Sequence, residues 1–405
     1  MAARQLGASC AHVRRGKPRL ELADILHARG ESYRATHRLS LVQAQAMAAI
    51  RVCRTVALGG ARYACTQCGF ERLVYHSCLN RHCPKCQTLA KERWLEARRA
   101  ELLPLPYFHV VFTLPHALNP LAQGNPRVIY RLLFQAASET LLEFGANPRW
   151  LGGEIGFILV LHTWGQNLNQ HLHVHCLVAG GALTPHGFVR AKPGFLFPVK
   201  ALSKVFRGKY LQALSEARAE LRLAGKLAEA GALLSLLAQL KREDWVVYAK
   251  RPFAGPQTLL DYLGRYTHRV AIGNHRLLSF DGDMVRFRWR DYAHGNKHKV
   301  MALEADEFIR RFLLHVLPKG FMRIRHYGFL ANRTKAEKLA RCRGLLDAPP
   351  PLAAPPETVD AFLLRVLGSE RDLCPVCRIG RLHLIGPIAR SQPARLHMLP
   401  RGPPR

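Results

Sequence analysis

The chain has 405 residues, with 60 Lys and Arg against 28 Asp and Glu, a formal net charge of +32. That length supports two or three domains with a sizeable core, and 48% hydrophobic and 8% aromatic content fits a globular protein. A positive excess of this size repels itself unless a polyanion is the partner, so nucleic acid leads, an anionic membrane surface comes second, and a hydrolase of small substrates is disfavoured.

Residues 1–30 hold no apolar signal core, so a cytoplasmic, nucleoid-associated protein is expected. Residues 39–50 are rich in Leu, Ala, Gln and Met and read as a helix. Residues 61–90 change to Cys, His, Arg and turns. A charged helix over 91–103 stops before Pro104, residues 107–114 read as a strand, and 127–144 as an amphipathic helix. Residues 156–164 and 172–178 are strands joined by a hairpin-like 165–170. Residues 202–240 are largely helical, with Gly208, Gly225 and Gly231 as weak points. Their apolar end, 231–240, is too short to span a membrane and is followed by Lys241 and Arg242. Residues 245–249 and 277–289 add strands. After a proline-rich linker at 349–356 come a short helix, a Cys-x-x-Cys pair and a basic, proline-rich end at 392–405. The expected division is 1–103, 104–345 and 346–405.

Cys65-x2-Cys68 and Cys83-x2-Cys86 are two knuckles fourteen residues apart, a zinc-ribbon-like pattern that predicts one tetrahedral Zn²⁺ site. His76, Cys78 and His82 lie between them as spare donors. Cys374 and Cys377 form one further knuckle, expected to act with His383 or not at all. Cys53, Cys176 and Cys342 carry no spacing signal and read as buried thiols, and Cys10 as a thiol in a disordered end.

The segment His171-Leu-His-Val-His175 is the sharpest signal in the chain. On a strand, alternate side chains share a face, so His171, His173 and His175 point the same way. Imidazoles two residues apart can hold one metal ion from one side and leave its other side open to substrate. Tyr262 and Tyr266 lie four apart on a predicted helix and share a face. Two phenols so placed suit successive phosphoryl transfers when positive charge is near, and Arg265, His268 and Arg269 supply it; packing is the competing role of such a pair. Residues 285–290 alternate Val, Phe and Trp with Arg286, Arg288 and Arg290, which gives a row of arginines at strand spacing and a phosphate track. Arg323 and Arg325 repeat the pattern.

Together these residues resemble the two-tyrosine HUH (His-hydrophobic-His) rolling-circle transposases of bacterial insertion sequences, in the IS91 group. The resemblance is carried in order by His76-Ser-Cys-Leu-Asn-Arg-His-Cys-Pro-Lys-Cys-Gln87, Phe108-His-Val-Val-Phe-Thr-Leu-Pro115, Leu161-His-Thr-Trp-Gly-Gln166 and His171-Leu-His-Val-His-Cys176. Tyr262-Leu-Gly-Arg-Tyr-Thr-His-Arg-Val-Ala-Ile272 and Leu317-Pro-Lys-Gly-Phe-Met-Arg-Ile-Arg-His-Tyr327 complete it. It implies an α+β chain, with an N-terminal zinc-ribbon-like module and then an HUH endonuclease domain whose central antiparallel sheet is flanked by helices. It further implies that His173 and His175 hold Mg²⁺ or Mn²⁺. Gln166 is the favoured third ligand, with His162 as alternative and His171 as competitor. Tyr262 or Tyr266 attacks a single-stranded element end to give a 5′-phosphotyrosine, and strands then pass between element ends and target DNA. No phosphate-binding loop of the Gly-x4-Gly-Lys-Ser/Thr type occurs, so unwinding is expected from a host helicase. Three rival readings remain: a non-catalytic zinc DNA-binding regulator, an HUH replication initiator or relaxase, and a zinc hydrolase.

Overall fold

The computed structural model describes residues 20–250, 260, 264, 271–291, 294–350, 357–368, 370 and 372–391. The N-terminal part contains α1 (Leu22–Thr36), α2 (Leu41–Arg51), a hairpin of β1 (Gly60–Cys65) and β2 (Glu71–Tyr75), and α3 (Thr88–Glu101). Ser40 starts α2 with a capping box: its hydroxyl accepts from the Gln43 amide at 3.3 Å, while its own amide donates to Gln43 Oε1 at 3.0 Å. Next come β3 (Tyr107–Thr113), α4 (Asn119–Gly124), α5 (Pro126–Ala146), β4 (Glu154–Trp164), β5 (Gln170–Thr184) and β6 (Gly187–Arg190). They are followed by α6 (Val199–Glu216), α7 (Ala232–Arg242), β7 (Val247–Lys250), β8 (Leu277–Phe280), β9 (Met284–Asp291), β10 (Lys297–Glu304) and α8 (Ala305–Leu313). The chain closes with β11 (Ile324–Tyr327), α9 (Lys335–Leu345), α10 (Val359–Leu367) and β12 (Leu382–Ile388). Gly208 lies inside α6 and breaks nothing. The helical stretch is interrupted instead around Gly225 and Gly231, whose φ values of +57° and +79° an L side chain resists.

The largest sheet runs β11-β4-β5-β3-β7, with β6 on the far end of β5, and every pairing is antiparallel. Strand β5 is therefore central. One face, with Phe108, Val110, Phe112, Leu172, Val174 and Cys176, packs against Leu133 and Phe134 of α5 and Phe206 of α6. The other, with Tyr107, Ile158, Val160, Leu177 and Ala179, packs against Leu95 of α3, Leu339 and Cys342 of α9, and Leu260. Cover on both sides explains why β5 is apolar almost throughout, without the alternation of a half-exposed strand. Each fully buried Leu or Phe here contributes roughly 1.5–3 kcal/mol. On β5 the histidines stand on this face at the end nearest the β4–β5 hairpin.

A second sheet, β10-β9-β8, buries Val285 and Phe287 against Phe308 and Phe312 of α8 and against Leu22, Ile25 and Leu26 of α1. The first helices thus share a core with residues 271–313, across the boundary expected at 103/104. A third sheet, β12-β1-β2, brings the C-terminal segment back to the N-terminal hairpin, with Gly60 opposite Ile388 and Cys65 opposite Leu382. The architecture is α+β, with an N-terminal cysteine-rich module and antiparallel sheets flanked by helices, as the sequence leads one to expect. Among the described residues no helix is long and apolar enough to cross a membrane.

Candidate metal centres and nucleic-acid interface

Strand register assembles the histidine site. His162 of β4 pairs with His173 of β5, and Val160 pairs with His175, so His162, His173 and His175 lie on one face. One nitrogen from each falls within 4.8 Å of the others, and all three side chains are buried. His173 Nε2 and His175 Nε2 are 3.1 Å apart. Metal–imidazole bonds of about 2.1 Å place two nitrogens roughly 3.0–3.4 Å apart, so the donor set fits one divalent ion. Three imidazoles favour Mn²⁺ over Mg²⁺, whose preference is for oxygen donors.

Hydrogen bonds at the far side of two rings orient them, and at His173 the partner also fixes the tautomer. His173 Nδ1 lies 2.9 Å from the His171 carbonyl, an acceptor only, so Nδ1 carries the proton and Nε2 is left with its lone pair. His175 Nδ1 lies 2.7 Å from Nε2 of His109 on β3, with the rings stacked 5.0 Å apart. Without an ion, His175 Nε2–H donates to His173 Nε2 at 3.1 Å and its Nδ1 accepts from His109; a metal at the centre would select the other tautomer, with the His175 proton on Nδ1 donated to His109 and a lone pair at Nε2. Burial drives the pKa values of all three rings down, His173 to about 3 and His162 and His175 well below the usual range, with neighbouring histidines adding to the effect. Burial also takes His109 to about 4. At neutral pH the cluster is uncharged and can donate to a metal.

His171 does not join these three. Its Nδ1 lies 3.0 Å from His116 Nε2, at the margin of the site. Gln166, favoured from sequence as third ligand, sits in the β4–β5 hairpin, where its backbone carbonyl accepts from the Arg276 guanidinium. The third side chain that the fold brings to His173 and His175 is that of His162, because hairpin register places it directly opposite His173. His109 stands in the Phe108–Pro115 stretch of the resemblance with no role assigned from sequence, since only the β3–β5 pairing brings it to His175. Tyr262, Tyr266, Arg265 and Arg269 lie outside the described residues. On either side of Tyr262, Leu260 is buried with Ile158, Val160 and Leu177 of the histidine face, and Gly264 packs so closely on α3 that an added Cβ would come within 2.5 Å of Leu95 Cδ2.

The arginine row of β9 alternates as read: Val285 and Phe287 point inward, and Arg286, Arg288 and Arg290 are exposed. On β10, His298 stands opposite Arg290, Val300 opposite Arg288 and Ala302 opposite Arg286, so the charge of the outer face comes from the β9 arginines. Lys299 lies on the other face, within 2.7 Å of Asp291.

The four cysteines expected to share one zinc are divided between two groups. Cys83 and Cys86 join Cys53 and Cys78, whereas Cys65 and Cys68 join Cys374 and Cys377. In each group the Sγ atoms lie within 4.8 Å of one another. Cys65 and Cys68 lie at the turn of the β1–β2 hairpin, whereas Cys78, Cys83 and Cys86 follow its open end after Tyr75, and the spacing rule has no means of seeing this. Cys53, read as a plain buried thiol, is a member of the first group, with Sγ 3.4 Å from Cys86. Mutual Sγ contacts hold Cys53 below the usual thiol range and push Cys78 and Cys83 above it. His82 is a structural residue: its Nδ1 is 3.0 Å from Asn80 Oδ1, and its Nε2 accepts from the Leu317 amide at 3.1 Å. His76 is exposed.

Comparison with known proteins yields matches over most of the chain. Residues 156–338 match the family described as "Putative transposase", and residues 25–114 match the family described as "Transposase zinc-binding domain". A protein of Sinorhizobium fredii named "Putative transposase y4qJ" is 52% identical over 377 residues, covering 89% of this chain and 94% of its own length. The protein named "Transposase for insertion sequence element IS801", from Pseudomonas savastanoi pv. phaseolicola, is 29% identical over 344 residues, covering 83% of this chain and 82% of its own.

Proposed function

The chain belongs to the IS91 family of transposases, and from that premise we propose that it nicks single-stranded DNA at the ends of its element through a 5′-phosphotyrosine and passes strands to target DNA by a rolling-circle route. The observation that carries this reading is the convergence of three neutral histidines on the sheet face against which Leu260, two residues before Tyr262, is packed. A divalent ion held by His162, His173 and His175 would act there as a Lewis acid on the scissile phosphate.

The protein's own part is positioning. His109 and the His171 carbonyl orient His175 and His173, and the apolar surroundings keep the rings neutral. The phenol oxygen of Tyr262 or Tyr266 forms a bond to phosphorus, and the bond from phosphorus to O3′ breaks. The 3′ oxygen leaves as a hydroxyl, taking up a proton as the phenol gives one up. The phosphodiester's energy is retained in the tyrosyl ester, so joining needs no nucleotide. Arg265, Arg269 and the exposed Arg286, Arg288 and Arg290 would hold the backbone of the strand. Cysteine-held zinc has a structural part.

Labelled single-stranded oligonucleotides from the element ends, incubated with Mn²⁺ or Mg²⁺ and run on a denaturing gel, test this. A covalent protein–DNA band is expected that EDTA and the Tyr262→Phe/Tyr266→Phe double variant both abolish while binding survives. An undiminished band in the double variant would refute the nucleophile assignment. Absence of any band with intact binding would favour a DNA-binding regulator.

A further inference from the structure

Cys374 and Cys377 lie far outside the zinc-binding segment matched at 25–114, yet they meet Cys65 and Cys68 across more than three hundred residues of sequence. Cys65 Sγ is 3.6 Å from Cys377 Sγ, and Cys68 Sγ is 3.7 Å from Cys374 Sγ. Zinc–thiolate bonds of about 2.3 Å set tetrahedral sulfurs about 3.8 Å apart, so four sulfurs at this spacing surround one ion. The surroundings are built for thiolates. The Gln67 amide donates to Cys65 Sγ at 3.4 Å, and the Gly380 amide to Cys377 Sγ at 3.3 Å. Gly380 is required by contact, since a Cβ there would lie 2.4 Å from Cys65 Sγ. The two knuckles are also stitched by backbone: the Thr66 amide donates to the Arg381 carbonyl at 3.0 Å, and the Arg381 amide to Thr66 Oγ1 at 3.1 Å.

Among the described residues the apolar cluster beneath these knuckles consists of Cys65, Cys374 and Leu382, with Tyr63, Phe70 and Cys377 packed on it. So small a core does not hold a three-stranded sheet by burial alone, and structural zinc is the usual remedy in modules of this size. We propose that Cys65, Cys68, Cys374 and Cys377 hold a second structural zinc ion that clasps the C-terminal segment onto the N-terminal hairpin. The clasp has a mechanical consequence. It anchors the segment whose α10 lies along α3, where Arg365 is 3.2 Å from Glu96 and Arg93 stacks over Phe362 at 5.7 Å. The same α3 carries Leu95, on which Gly264 rests.

Native mass spectrometry and elemental analysis of the full chain test the count. Two zinc ions per chain are expected. Cys374→Ser/Cys377→Ser is expected to hold one, as is Cys78→Ser/Cys86→Ser, while Cys377→His retains two because imidazole replaces thiolate in a tetrahedral set. One zinc in the wild type, iron in the second site, or two ions retained by the Cys374→Ser/Cys377→Ser variant would overturn the proposal. A specific protease site placed within residues 351–356 tests the clasp itself: the cut pieces are expected to co-elute on gel filtration and to separate once chelator strips the zinc, and separation without chelator or co-elution unchanged by zinc removal would refute it.

Discussion

Replacing His109 by Phe isolates the role of one hydrogen bond. His109 is 5% exposed, and its Nε2 is 2.7 Å from His175 Nδ1. Phenylalanine keeps a ring of similar size there but offers no acceptor. In the metal-bound tautomer the buried Nδ1–H of His175 is then stranded, at a cost of about 1–3 kcal/mol. The alternative is a tautomer change, which puts the proton on Nε2, the atom that faces His173 Nε2 and would meet the metal. Either route is felt as weaker metal binding. At about 1.4 kcal/mol per tenfold, the loss is roughly 5- to 150-fold, in line with the ~10–100-fold seen when outer-shell partners of metal ligands are removed. The assay is cleavage of a labelled single-stranded end as a function of Mn²⁺ concentration, with calorimetry of Mn²⁺ binding alongside. The half-saturating Mn²⁺ concentration is expected to rise by one to two orders of magnitude, with the rate at saturating Mn²⁺ within a few-fold of wild type. His109→Gln, whose amide oxygen accepts, is expected to recover part of the loss. An unchanged half-saturation point in His109→Phe, or a lower maximal rate at unchanged metal dependence, would refute the orienting role.

Three further outcomes follow from the geometry. His162→Ala is expected to remove metal-dependent nicking, while Gln166→Ala leaves it within a few-fold; the reverse order would restore Gln166 as the third ligand. Changing Arg286, Arg288 and Arg290 together to Ala is expected to lower the slope of log affinity against log salt for single-stranded DNA by about 2, three contacts at ~0.7 each. An unchanged slope would mean that this face does not meet phosphate. His315 is 1% exposed, with Nε2 donating to the Leu168 carbonyl at 3.0 Å, and burial holds its pKa at about 4. Its folded pKa is below the unfolded value near 6.5, so the unfolded chain binds the extra proton. Stability is therefore complete above pH 6.5 and falls by about 1.4 kcal/mol per pH unit as pH drops towards 4, or about 2 kcal/mol at pH 5. Thermal melts from pH 7 to 5 are expected to show a shallower fall for His315→Gln; parallel slopes would contradict this.

The chain's own order of residues determined which side chains share a face within one strand. The run His171-Leu-His-Val-His175 placed three imidazoles on one strand face, because alternation is a local property of extended backbone. The Val285–Arg290 alternation placed its arginines outside for the same reason, and the charge excess pointed to a polyanion. The collinear motifs were sufficient to name the family. What sequence left undecided is what depends on which strands lie side by side. His162 reaches His173 through hairpin register, and His109 reaches His175 through the β3–β5 pairing. Cys53 enters a metal group with no spacing signal, and Cys374 and Cys377 travel the length of the chain to meet Cys65 and Cys68. A knuckle fixes where its own two thiols point, but the choice of its partner rests with long-range packing. Two Cys-x-x-Cys pairs close in sequence were therefore read as one zinc site, when the fold assigns each to a different pair of cysteines.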